Sequence, residues 1–165
     1  MTKRTKICLG LLFYLYSSAT ALQIDSVYKW QIGEDLTYGV SWGFIRLGTI
    51  QLSVVDTVQM MGQMTYHTKL IIDSNPWLFF INMHSQYDSY LLENTFPLLL
   101  ICKEEIDDVE YNSRYEFDYQ KQESKVHYEG VEEPYEKIDK VIPLNNQLQD
   151  GMSIIFYART HSNQK

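Results

Sequence analysis

The sequence predicts a mainly β protein, built as a strongly curved antiparallel sheet or a partly open barrel with one or two short helices. Three observations carry that prediction. Apolar and polar side chains alternate with a period of two through most of the chain, which places one face of each strand in a core and the other in water. Segments rich in Gly, Asn and Pro cut the alternation into about eight runs, each of strand length. Only residues 75–81 and 150–159 break the pattern in a way that suits a helix.

The first 21 residues stand apart from this pattern. Lys3, Arg4 and Lys6 precede the apolar run Ile7 to Tyr16, and Ala19-Thr20-Ala21 closes the segment, so all three parts of a secretory signal peptide are present. The apolar run is about half the roughly twenty residues that a membrane-spanning helix needs. Cleavage is expected after Ala21, which makes residues 22–165 a single exported domain, expected in the periplasm. Cys8 follows Thr5-Lys6-Ile7, not the small residues of a lipobox, so no lipid anchor is expected.

Removing residues 1–21 takes away three of the 14 Lys and Arg and none of the 21 Asp and Glu, which leaves 11 against 21 and a charge of −10. An acidic chain without a basic cluster does not suit nucleic acid or anionic headgroups as partners. Of the two cysteines only Cys102 remains, so no internal disulfide can form. No Asn-x-Ser/Thr sequon occurs, and nothing long and apolar enough to span a membrane follows the leader.

The elements then follow in order. Tyr38, Val40 and Trp42 alternate with small or polar neighbours, and after a break at Gly43 the row Ile50, Leu52, Val54 continues on a second antiparallel strand. Met61-Gly62-Gln63 is a hairpin loop, because Gly accepts positive φ without a Cβ clash. The return strand, running to about Asp73, carries Tyr66, Thr68, Leu70 and Ile72 inward. Asn75-Pro76-Trp77-Leu78-Phe79-Phe80-Ile81 is predicted to start a short helix and to plug one end of the sheet. Residues 83–93 alternate again, but both rows are amphipathic and either could face inward.

Asn94 to Pro97 is a turn before the apolar strand Leu98 to Cys102. Tyr111, Ser113, Tyr115, Phe117 and Tyr119 form the cleanest alternating row of the chain. A turn at 120–124, a strand from Lys125 to Tyr128, an interruption at Glu132-Glu133-Pro134 and a strand from Tyr135 to Val141 complete the sheet. Asp150 can cap a helix of barely two turns, with Met152, Ile155, Phe156 and Arg159 on one face. An open, half-wrapped sheet is preferred to a closed barrel, because the plug and the helix need a face to pack on.

Four pieces, in this order, resemble a family of bacterial exported proteins, domain of unknown function 3108. They are Leu36 to Thr49 with Gly43 and Gly48 between two strands, Tyr87-Asp88-Ser89-Tyr90, Phe117-Asp118-Tyr119, and Gln149 to Ser153 followed by Phe156 to Arg159. The resemblance spans about residues 30 to 159. It implies a periplasmic or exported, mostly β protein with no assigned reaction, similar in strand pattern to curved-sheet carriers of lipids and lipoproteins. Members usually continue past the helix with several more strands. The chain is therefore expected to be either an N-terminal part, truncated at its C-terminus, or a naturally short member.

No catalytic constellation emerges. The four histidines, His67, His84, His127 and His161, show no metal-ligand spacing and read as polar strand residues. Glu104, Glu105, Asp107, Asp108 and Glu110 lack the Gly and spaced oxygens of a calcium loop, so a solvated strand end explains them. Ser153 lacks a Ser-x-x-Lys partner, Asp150 is explained by capping, and Cys102 lies in an apolar run that favours an inert thiol. Neither an enzyme, a metal nor a cofactor is expected.

Two functions follow from these expectations. The first is a binding or carrier module whose concave apolar face, formed by Tyr38, Val40, Trp42, Ile50, Leu52, Tyr66 and Leu70, accepts a hydrophobic small molecule. The second is a structural or assembly protein of the cell envelope that meets another envelope protein through its sheet edge and acidic surface. An outer-membrane barrel fits less well, because the row Glu110, Arg114, Glu116, Asp118 is too charged for lipid.

Overall fold

The computed structural model describes residues 30–80, 82–130 and 137–162, so the segment 1–21, expected to be a leader, lies outside them. Eight strands follow one another: β1 (Asp35–Trp42), β2 (Ile45–Met60), β3 (Gln63–Ser74), β4 (Met83–Leu91), β5 (Pro97–Ile106), β6 (Val109–Asp118), β7 (Glu123–Gly130) and β8 (Ile138–Pro143). They form a single sheet in that order, each antiparallel to the next. Among the described residues β1 and β8 do not pair with each other, so the sheet is open. One helix, α1 (Gly151–Ser162), follows β8.

Local chemistry explains the meander. Met61-Gly62 and Asp107-Asp108 each place two successive residues at positive φ, at 50° and 75° and at 51° and 68°, the geometry of tight hairpin turns whose twist matches that of the strands. The acidic run around Asp107 is thus a turn and a strand end. Gly43 supplies φ of 61° to the β1–β2 turn. Gly48 has a different role: a Cβ there would lie 2.2 Å from the Asp73 carbonyl oxygen, so only glycine lets β3 approach β2 this closely.

Register shifts interrupt the ladders at Val40/Ser41, Val54/Asp56 and Tyr90/Leu91. Each adds an unpaired residue on one strand, which bends that strand and increases the local twist. Between these points the pairing is regular, and it puts Leu36, Leu52, Leu70 and Tyr87 in one cross-strand row and Tyr38, Ile50, Ile72 and Ser85 in the next. α1 lies over this face. Met152 and Phe156 from the helix join Leu52, Val54, Leu70 and Leu91 in one buried cluster, with Trp30, Ile50, Ile72, Tyr87 and Ile155 packed around it.

The burial resolves the ambiguity of β4. Ser85, Ser89 and Leu91 are buried and Tyr87 packs against the core, so that row faces α1, and His84, Gln86, Asp88 and Tyr90 point to the opposite face.

Two expectations fail. Residues 75–80 form turns, not a helix, and Trp77, Phe79 and Phe80 are exposed, so the segment is not a plug. The cause is Asn75, whose side-chain oxygen accepts the Trp77 N–H at 3.2 Å while its backbone oxygen accepts from Leu78 at 2.9 Å, closing a turn in place of a helix start. Ile81 lies outside the described residues. α1 in turn runs for 12 residues, about three turns instead of two. Once Asp150 and the core anchor its first turn, elongation through Thr160, His161 and Ser162 is cheap despite their modest propensities. The last strand begins at Ile138 and ends at Pro143, and residues 131–136 lie outside the description.

Candidate functional site

The candidate site is the α1-bearing face of the sheet, and its geometry starts with the way the helix is held. Asp150 accepts the Ser153 N–H through Oδ1 at 2.6 Å, an N-cap, and its Oδ2 accepts the Ser89 hydroxyl of β4 at 2.7 Å. The Ser153 hydroxyl donates to the Asp150 carbonyl at 3.0 Å. One buried carboxylate therefore caps the helix and fastens it to the middle of the sheet.

The approach to this cap is braced by Tyr119, whose hydroxyl reaches the carbonyls of Pro97 at 2.8 Å and Leu148 at 3.3 Å. Burial, reinforced by the charge of Asp150, pushes the Tyr119 hydroxyl well above its ordinary pKa. At the other end of α1, Arg159 forms a two-pronged ion pair with Glu34, at 2.5 and 3.1 Å. Trp30 closes the remaining side: its ring stacks on Tyr66 with centroids 4.3 Å apart, lies 5.0 Å from Phe156, and donates Nε1–H to Glu93 O.

The seven side chains predicted to line an apolar site belong to the same face by register, but the structure divides them. Leu52 and Leu70 are buried under α1, Ile50 packs against that core, and Tyr66 lies under Trp30. Tyr38, Val40 and Trp42 on β1 lie beyond this cover and stand in solvent, Tyr38 at 51 % and Trp42 at 78 % exposure. Gly48, opposite Val40, contributes no side chain to the row, so the shelf between β1 and the core is shallow there.

Further along the same face the lining turns polar. Tyr87 donates a short hydrogen bond to Glu104; burial together with that carboxylate pushes its hydroxyl up to about 12. Cys102 is free and buried, and burial raises its thiol. It therefore lacks the thiolate character of a nucleophile.

The opposite face holds what the sequence reading did not anticipate: each of His67, His84 and His127 meets an aspartate. His84 and Asp73 are cross-strand partners with nitrogen and oxygen 2.5 Å apart, as are His127 and Asp139. His67 lies diagonally across from Asp88 at 2.7 Å and stacks on Tyr90, with Lys69 at 3.6 Å and Gln86 at 2.6 Å from the same carboxylate. Burial works to raise the Asp88 pKa, but hydrogen bonds from Gln86 and His67 and the charge of Lys69 outweigh it and hold the carboxyl below its usual range. These pairs join neighbouring strands, so only the register could reveal them. No cluster of three or more His, Cys, Asp or Glu suited to a metal occurs among the described residues.

The four sequence pieces singled out earlier are the joints of this assembly. Gly43 and Gly48 make the first turn and the close β2–β3 approach, Ser89 meets Asp150, and Tyr119 braces the loop that delivers it. The family model for a protein of unknown function, DUF3108, matches residues 37–165. The chain belongs to this family. No curated protein and no solved structure matches it. Within the DUF3108 match lie β1 from its third residue, all the other strands and α1, so the family pattern covers the whole site except Trp30 and Glu34. Those two residues, one stacked on Tyr66 and one paired with Arg159, are contributed by the segment ahead of the match. No helix among the described residues is long and apolar enough to cross a membrane.

Proposed function

We propose that this member of the DUF3108 family is an exported, periplasmic binding or carrier module without enzymatic activity, which holds a hydrophobic small molecule against the α1-bearing face. The observation that carries the reading is the exposed apolar shelf of Tyr38, Val40 and Trp42, in register with a buried core that ends at its border. A flat acyl chain or ring laid along β1 would bury these side chains and extend the core by one strand. The leader of residues 1–21 supports export. The groups that would suggest catalysis have structural accounts: Asp150 and Ser153 form the cap, and Cys102 is a buried thiol. Native mass spectrometry of protein purified from its own host is expected to show co-purifying lipid, which Trp42→Ser and Tyr38→Ser should remove. A wild-type protein that carries none, and whose Trp42 emission is unmoved by added fatty acid, would refute the reading.

A second reading, an assembly protein of the cell envelope, draws on the β1 edge. Leu36 to Trp42 contains no charged residue and no proline, the devices that normally protect a free edge. Crosslinking in cells from an edge position such as Thr37 should then capture one specific envelope protein. Recovery of uncrosslinked monomer alone counts against it.

A further inference from the structure

The largest exposed aromatic side chains of the described residues lie at one end of the sheet, on two adjacent connections. Trp42-Gly43-Phe44 runs from the last residue of β1 through the β1–β2 turn and the β3–β4 connection carries Trp77-Leu78-Phe79, the same Trp-x-Phe arrangement twice. Phe44 and Phe79 are almost fully exposed, at 99 % and 98 %, with Trp77 at 89 % and Phe80 at 67 %. Asn75 ties the β3–β4 connection to the start of β2, just past the β1–β2 turn: its N–H donates to Leu47 O at 2.8 Å and its Nδ2 to Arg46 O at 2.7 Å. The two Trp-x-Phe segments are therefore presented together, as one projecting crest.

We infer that this crest docks the protein on a lipid bilayer whose headgroups carry no net charge, with Phe44 and Phe79 entering the acyl region and Trp42 and Trp77 resting at headgroup level. Three features select a bilayer. Phe44, Trp77 and Phe79 stand on connecting segments and are 89–99 % exposed, so a fluid phase can envelop them without a complementary partner surface. The most exposed positions are Phe, a residue that partitions into hydrocarbon, and a Trp sits two residues back in each segment, as an amphipathic ring at the interface does. The same end of the sheet is acidic: Asp107 and Asp108 form the neighbouring turn, tied to Asn82 by the Asp107 N–H at 2.8 Å and by the Asp107 carboxylate at 3.1 Å, and Asp73 and Glu105 lie close behind. With Arg46 as the cation nearest the crest in sequence, an anionic surface would be repelled, which leaves zwitterionic lipid.

The test is flotation of protein purified from its own host with phosphatidylcholine vesicles, alone and with phosphatidylglycerol added. The protein should float with pure phosphatidylcholine, bind less as phosphatidylglycerol increases, and lose at least about tenfold in affinity in Phe44→Ser/Phe79→Ser, since each buried phenyl group contributes that much or more. Lipids brominated along the acyl chain should quench wild-type tryptophan emission, a readout that does not depend on how the variant folds. Absence of flotation, equal flotation of the double variant, or absence of quenching overturns the inference. So does a concentration-dependent dimer that the double variant abolishes while vesicles bind neither form, which would make the crest a contact between copies. Phe44 and Phe79 are not part of the shelf on β1, so lipid that still co-purifies from a protein that does not float removes the docking and leaves the carrier reading intact.

Discussion

β1 and β3 carry the same alternating pattern on the same face of one sheet, yet Leu70 on β3 is buried while Tyr38 and Trp42 on β1 stand in solvent. The difference does not come from the strands. It comes from what lies over them: α1 and Trp30 cover β2 to β4, and their cover stops before β1. Alternation thus reports which face a side chain belongs to, and a second layer decides whether that face is dry.

Substitutions on the two sides of this border should behave in opposite ways. The largest effect is expected under the helix: Phe156→Ala empties a fully buried site and should cost about 4 kcal/mol in urea unfolding. A loss below about 1 kcal/mol would mean that α1 is not a real second layer. Next comes the fastening of that layer. Asp150→Ala removes a cap and strands the Ser89 hydroxyl, for about 2 kcal/mol, whereas Asp150→Asn, which can still cap, should recover most of it.

A smaller effect belongs to the opposite face. Asp88 is held below the ordinary carboxylate pKa, so its contribution is complete above that ordinary value and is lost as pH falls through the lower folded value. Asp88→Asn should therefore destabilise the protein at pH 7 and flatten the acid side of its stability curve. Unfolding midpoints compared between pH 7 and pH 3 check the sign, and an unchanged slope on the acid side would contradict it. The smallest effect is expected on β1: Trp42→Ser should change stability by no more than about 0.5 kcal/mol, because the ring is mostly in water, while removing bound lipid. A loss comparable to that of Phe156→Ala would erase the distinction between the two regions.

Much of this was legible before the fold was known. The eight strands, the Met61-Gly62 turn, the capping role of Asp150 and the inward rows of β2, β3 and β6 follow from period-two patterning and turn chemistry, which act over a few residues. The failures lay where local signals were matched but outcompeted. Asn75-Pro76 does resemble a helix start, but Asn75 spends its hydrogen bonds on Arg46, Trp77 and Leu78, and the aromatics after it turn outward. The inward row of β4 was undecidable because Ser85 and Ser89 are buried by a partner 61 residues away in the case of Ser89, and no local pattern contains Asp150.

By itself, then, the sequence determined the strand count, the antiparallel class, the family and, outside β4, the face to which the alternating residues belong, because a two-residue period and tight turns are properties of neighbouring residues. Only the tertiary structure decided which part of that face is closed. That choice depends on where a 12-residue helix is tied down, through Asp150 to Ser89 at one end and Arg159 to Glu34 at the other, and these contacts join residues 61 and 125 positions apart. The same register placed His67, His84 and His127 each beside an aspartate and tied the β3–β4 connection, with its Trp-x-Phe segment, to the start of β2.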